Sequence, residues 1–193
     1  PQNYYRNLER FAARAKALNM EIIPTVMTPS LLINDPMMAE GLPVKDQEFE
    51  VKGGAAHVRH TANLVPNGGF ERMKNPDHFE GFDWIDEPGL ISHRDEQVKH
   101  SGAAAIRLEN FRAKSPHGNA RINKKLALKP WHQYKAALWI RTDKLVPCNG
   151  ENPRLIVLCE GNRNLVHRNL EVKSTQDWTQ YVFTFNSLEF TEG

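Results

Sequence analysis

A chain of 193 residues, 40% apolar and 25% charged, has the make-up of an ordinary globular protein, long enough for one domain and part of a second. A net charge of +2 is too small for a nucleic-acid-binding domain, which shows a basic patch or stripe, and no apolar run approaches the roughly 20 residues that a membrane-spanning helix needs. The opening residues, Pro1 to Arg6, hold no apolar signal core and enter a helical pattern at once, so the chain reads as a piece of a longer polypeptide.

Between residues 3 and 18, Tyr5, Leu8, Phe11, Ala12, Ala15 and Leu18 form one stripe at helical spacing, and Asn19 is a plausible stop. Met20 to Val26 then read as a short β-rich run, in which Pro24 argues against a regular central strand. A helix feeding a strand across one or two residues is the αβ half of a βαβ unit. Residues 27–62 carry turn signals at Thr28-Pro29-Ser30, Asn34-Asp35-Pro36 and Gly41-Leu42-Pro43, with a possible short strand at Phe49-Glu50-Val51 before Gly53-Gly54. Leu31, Ile33, Met37, Val44 and their apolar neighbours predict a connection that packs against the next domain.

After Asn63 the period changes from helical to alternating, which sets a boundary there: an α/β segment and connection over 1–62, a β domain over 63–193. Strands are predicted over 103–108, 120–128, 134–140 and 179–185, each with one apolar face. Ile106, Ile122, Leu138 and Phe183 are expected in a single core between two sheets. Cys148 and Cys159 could close a small loop, or Cys159 could be a buried thiol ending the strand at Leu155-Ile156-Val157-Leu158.

The order of Asn67-Gly68-Gly69-Phe70-Glu71, His100-Ser101-Gly102, the alternating strands and Trp178-Thr179-Gln180-Tyr181-Val182-Phe183-Thr184-Phe185 resembles the β-jelly-roll carbohydrate-binding modules of the 4/9/22 group, over residues 63–188. The resemblance implies a mainly β fold, a β-sandwich jelly roll with an N-terminal α/β segment, opened by a short strand at Asn67–Glu71. It implies a structural calcium, held by Glu71, by main-chain carbonyls of the turn that begins at Lys99, and with Asp95 as a further candidate. The family's last strand, whose Asp completes that site, is not matched in residues 186–193. The helix-to-strand segment is similar to one unit of a glycoside hydrolase (β/α)8 barrel.

Sugar recognition needs an aromatic ring against the C–H face of a pyranose, with polar groups on its hydroxyls. Alternation places Trp139 opposite the core residues Leu138 and Ile140, with Arg107, Arg121 and Arg141 also off the apolar faces, and Trp84 at a rim. Those arginines hint at acidic or sulfated sugars. Trp178 and Trp131 are expected as packing residues. The expected function is non-catalytic polysaccharide or oligosaccharide binding, as an accessory module to the catalytic domain of a secreted or cell-surface glycoside hydrolase. No nucleic-acid or membrane partner is expected. One alternative is a structural β-sandwich module without a sugar site. Another is a fragment lending Glu21, Asp35 or Glu40 to a hydrolase active site, whose two carboxyl groups flank the scissile bond. No nucleophile, zinc or phosphate-loop motif is present in the sequence.

Overall fold

The computed structural model describes residues 2–22, 41–59, 62–116, 118–147 and 152–193. Two compact units are present, Pro1–Ser30 and Leu31–Gly193. The first contains the helix α1 (Gln2–Ala17). Asn19 ends it in the left-handed region at φ +55°. The Met20 N–H bonds the Ala15 carbonyl at 2.9 Å and the Asn19 N–H bonds that of Lys16 at 3.1 Å, the paired closure of a helix C-terminus. The predicted stripe exists, but Leu8 and Phe11 on it are exposed and Ala15 is buried. Met20 to Ile22 leave the helix without joining a strand, and residues 23–26 of the predicted strand lie outside the described residues, as do Asp35 and Glu40.

The second unit is mainly β. Its strands are β1 (Phe49–Lys52), β2 (Ala55–Val58), β3 (Met73–Asn75), β4 (His78–Phe79), β5 (Trp84–Ile85), β6 (Ser92–Asp95), β7 (Ala105–Leu108), β8 (Ile122–Asn123), β9 (Gln133–Thr142), β10 (Arg154–Cys159), β11 (Arg163–Asn169) and β12 (Gln176–Asn186). They pair as antiparallel two-stranded ribbons: β1–β2, β3–β4, β5–β8, β6–β7, β9–β12 and β10–β11.

The β9–β12 pairing is the longest, and its alternation sorts the side chains into two faces. Tyr134, Ala136, Leu138 and Ile140 face inward beside Tyr181, Phe183 and Phe185, while Lys135, Ala137, Trp139 and Arg141 face outward beside Gln180, Val182 and Thr184. Near its start β12 bulges: Asp177 and Trp178 lie between the pairs Gln176–Thr142 and Thr179–Ile140, so two residues oppose Arg141 alone. The inward face feeds two apolar clusters. One gathers Leu128, Cys159, Leu165, Val166 and Phe185, and the other Leu170, Val172 and Phe183 with Leu138 and Ile140 against them.

The sequence expectation of a single core holds for Leu138 and Phe183 only. Ile106 and Ile122 are half-buried and belong to neither cluster. The strand predicted over 120–128 shrinks to β8 because the lysines after it bond elsewhere: Lys124 Nζ donates to the Gly81 carbonyl and the Lys125 N–H to the Asp83 carboxylate. Further on, Leu126 and Leu128 pair with the segment 191–193, whose Gly193 N–H donates to the Leu126 carbonyl at 3.0 Å. A side chain at Gly193 would stand 3.1 Å from Cys159 Sγ, so glycine lets this segment lie against the cluster. Cys159 is a free, buried thiol, and burial, helped by the Glu189 carboxylate, pushes its pKa up; Cys148 lies outside the described residues. The described end of the connection is bonded to β9 and β12. Lys45 N–H reaches the Trp131 carbonyl at 2.9 Å, the Gln47 amide brackets the Gln133 backbone at 2.8 and 3.2 Å, and Asn186 donates to the Pro43 carbonyl at 3.0 Å.

The two faces of β12 should respond differently to truncation. Phe183→Ala should destabilise the unit by about 3 kcal/mol in urea unfolding, whereas exposed Val182→Ala should stay within about 0.5 kcal/mol. Equal losses at both positions would contradict the assigned faces.

Candidate binding face

The segment Asn67-Gly68-Gly69-Phe70-Glu71 is a turn, and the strand expected there begins later, at β3. Asn67 is the reason. Its buried side chain donates to the Arg72 and Glu80 carbonyls at 2.8 Å each and accepts the Arg72 N–H at 3.1 Å, which curls the chain around it. Phe70, at φ +58°, stacks on Phe82 with centroids 5.0 Å apart and meets Phe79 edge-on at 5.3 Å. The turn thereby sends Glu71 toward the loop between β6 and β7.

There the Glu71 carboxylate accepts the Ala103 N–H at 2.6 Å. It also lies against Gly102, where a Cβ would sit 1.8 Å from Oε1 and the backbone has φ +68°. Glycine is required at that position for both reasons. Two residues earlier, His100 lies flat on Trp139, with centroids 4.0 Å apart and planes at 16°, and meets Trp178 edge-on at 5.7 Å and 70°. One short loop therefore meets Glu71 at Gly102 and Ala103 and the two indoles at His100. Trp178, expected in the core, is half-buried on the outward side, where the bulge turns it toward His100. Trp139 remains 44% exposed despite the imidazole on it.

Trp84 is 51% exposed and held by its edge, Nε1 donating to Asp86 Oδ1 at 2.8 Å. Asp86 is buried and also accepts the Arg121 N–H at 2.8 Å, Nε at 3.0 Å and Nη2 at 3.2 Å. Burial alone would push the Asp86 carboxyl up; the hydrogen bonds from Arg121 and Trp84 outweigh it and hold the group below its ordinary range. Arg121 is thus engaged as an internal partner. Arg107 is engaged too, its Nε 3.4 Å from Asp95 and its Nη1 2.9 Å from Glu109. Of the three arginines expected at a sugar, Arg141 alone is exposed without an ion pair among the described residues, two positions along β9 from Trp139.

The residues expected around calcium are partly brought together. Glu71 meets the turn, but Lys99 Nζ donates to the Ala103 carbonyl at 3.2 Å. Asp95 caps its own turn, Oδ1 accepting the Gln97 and Val98 N–H groups at 2.9 Å. The Val98 N–H, against the opposing effect of burial, then the Gln97 N–H and the Arg107 charge, hold the Asp95 carboxyl low. Among the described residues no three His, Cys, Asp or Glu side chains cluster to hold a metal. A calcium ion at this loop would therefore take Glu71 as its carboxylate and main-chain carbonyls and water for the rest.

Trp131, expected as a packing residue, is half-buried, with Lys45 Nζ 5.2 Å from its ring centroid. It lines a hollow of about 370 Å³ with Lys45, Asp46, Lys129 and His132. Neither this hollow nor a second one beside Phe111 and Val146 includes Trp139 or Trp84, which lie on open surface. Glu21 is exposed in the helical unit. No family model, curated protein or solved structure matches the chain. No helix among the described residues is long and apolar enough to cross a membrane.

Two outcomes check this geometry. Asp86→Asn should lower stability by about 2 kcal/mol near neutral pH, since it weakens the bonds from Arg121 and Trp84 at a buried site. A carboxyl whose folded pKa is depressed contributes stability above its ordinary value of 3.8 and loses it as pH falls through the lower folded value. The gap between wild type and Asp86→Asn should therefore narrow as pH falls through the ordinary value of 3.8 and on through the lower folded one; a constant gap in urea melts would contradict the pairing. At the loop, Gly102→Ala should destabilise by at least about 1 kcal/mol through its backbone conformation. Glu71→Ala in the same chain should recover the steric part, and strict additivity of the two losses would show that they do not touch.

Proposed function

We propose that residues 63–193 are a jelly-roll carbohydrate-binding module, non-catalytic and accessory to a secreted or cell-surface glycoside hydrolase. The observation that carries this reading is the aromatic row His100–Trp139–Trp178 on the open outer face of β9–β12, bordered by Gln180 and Arg141. A pyranose needs such a ring for its C–H face and such polar groups for its hydroxyls. His100 covers part of the indole, so the platform is the row as a whole. Trp84, with its indole edge fixed by Asp86, is a second, pre-oriented ring that needs little reordering on binding. An open surface of this kind suits a polymer, which lies across it and does not need to be enclosed. The antiparallel pairing of the strands and the apolar inner face of β9–β12 support the jelly-roll assignment, and the Glu71 contact with the 99–103 loop supports a structural calcium there.

A second reading has its own observation. Val182, Ile156 and Leu158 are apolar and exposed on their strands, as a structural module packed against another domain would show.

Affinity electrophoresis separates the two. Trp139→Ala should lose retention in gels containing β-glucan, xylan or polygalacturonate, by about thirtyfold in affinity if the ring is the hot spot. Thermal melting should stay near that of the parent. Parent protein that no glycan gel retains would leave the structural-module reading. Calcium at Glu71 should raise the melting temperature by several degrees when saturating, and Glu71→Ala should abolish that rise; melting indifferent to calcium and chelator would remove the ion from the account.

A further inference from the structure

The outer face of β9 carries cations that the chain leaves unpaired. Lys135, Trp139 and Arg141 share that face; Lys135 lies opposite Thr184, Trp139 opposite Gln180, and Arg141 opposite the bulge at Asp177–Trp178. The side chains of Lys135 and Arg141 are exposed and make no ion pair or hydrogen bond among the described residues. Elsewhere Arg72 pairs with Glu80, Arg107 with Glu109, Arg121 with Asp86 and Lys125 with Glu192, so those cations are already engaged.

The carboxylates at the β6–β7 loop and at the bulge each have a partner. Glu71 accepts the Ala103 N–H, Asp95 accepts the Gln97 and Val98 N–H groups, and Glu96 pairs with Arg94. Asp177, at the bulge opposite Arg141, accepts the Trp178 N–H at 2.8 Å. The result is an aromatic platform with a cation on either side of it along β9, and with Asp177 as the acidic side chain at the Arg141 end.

We infer that this face takes an acidic glycan, one whose pyranose rings bear carboxylate or sulfate groups. The inference rests on the sugar-binding reading above and names its ligand class. Along the strand Arg141 lies about 7 Å from Trp139, and Lys135 about 13 Å away on the other side. An extended polymer stacked on Trp139 reaches both, and an isolated monosaccharide reaches one. The planar guanidinium of Arg141 is suited to the paired oxygens of a uronate or sulfate, and Lys135 acts as a less directional charge. A single-stranded nucleic acid also combines stacking with negative charge, but it is usually met by a charged groove that follows its backbone, and two separated cations on a chain of net charge +2 do not make one.

The test is affinity electrophoresis of the whole chain in gels containing polygalacturonate, dextran sulfate or neutral β-glucan, with poly(dT) as a competitor. Retention by at least one acidic polymer should exceed that by β-glucan and weaken as salt rises. Arg141→Gln should lower that affinity roughly tenfold, with Arg141→Lys recovering part of it, and Lys135→Gln should have a smaller effect in the same direction. Each variant is exposed and should melt as the parent does. The polymer that responds to Arg141→Gln distinguishes carboxylate from sulfate. Equal or better retention by β-glucan, unaffected by Arg141→Gln, overturns the acidic ligand and leaves sugar binding standing. Retention by the acidic polymers that both substitutions leave unchanged in every case is nonspecific and overturns it too. Tighter binding of poly(dT) than of either acidic glycan overturns it in favour of nucleic acid. Failure of every glycan overturns the sugar-binding reading and this inference with it.

Discussion

The ten residues of β9 and the eleven of β12 run antiparallel, and one register decides what lies on each side of them. Because successive side chains alternate, a slip of one residue would exchange the faces of either strand. Leu138 and Ile140 would go to water, and Trp139 and Arg141 would go into the apolar cluster. Burial of Phe183 and Phe185 fixes the register, so the same hydrophobic energy that holds the core also sets the outer row. The bulge at Asp177–Trp178 is the one interruption, and it falls where the second indole turns to meet His100. Packing on the inside and recognition on the outside are consequences of a single pairing.

The loop between β6 and β7 is the second constraint. Its position follows from a chain of local contacts that begins far away in sequence: Asn67 curls the turn, the turn aims Glu71, and Glu71 fits against Gly102 and bonds Ala103. His100 is then delivered onto Trp139 by a loop that is anchored two and three residues later. The proposed platform therefore depends on a carboxylate that does not touch a ligand.

Much of this was legible in the sequence, because it rests on period. The two-residue alternation in 134–140 and 179–185 gave the long strands and their outward residues, and the helix with its Asn19 stop was equally plain. What was not legible rests on long-range polar contacts. Nothing in Phe82-Asp83-Trp84-Ile85-Asp86 says that Asp86 will be buried and take Arg121, so Arg121 looked available for a ligand. Arg107 misled in the same way, since its partners are set by the β6–β7 register. Trp178 read as a packing residue because a bulge does not show in an alternating pattern. The Asn67–Glu71 segment read as a strand because its resemblance to a family motif outweighed its two glycines, which are turn residues. His100 carried no signal beyond a turn, and its place on Trp139 comes from Glu71, which is distant in sequence.

The central claim is that the outer face of β9–β12, organised by the aromatic row, is where the protein meets a sugar. The most direct measurement follows the four indole N–H resonances in ¹H–¹⁵N spectra while β-glucan, xylan and polygalacturonate oligosaccharides are added in turn. With at least one of them the signals of Trp139 and Trp178 should shift together, saturably, while that of Trp131, under Lys45, stays in place. Indole signals of Trp139 and Trp178 that none of the three oligosaccharides moves would contradict the account.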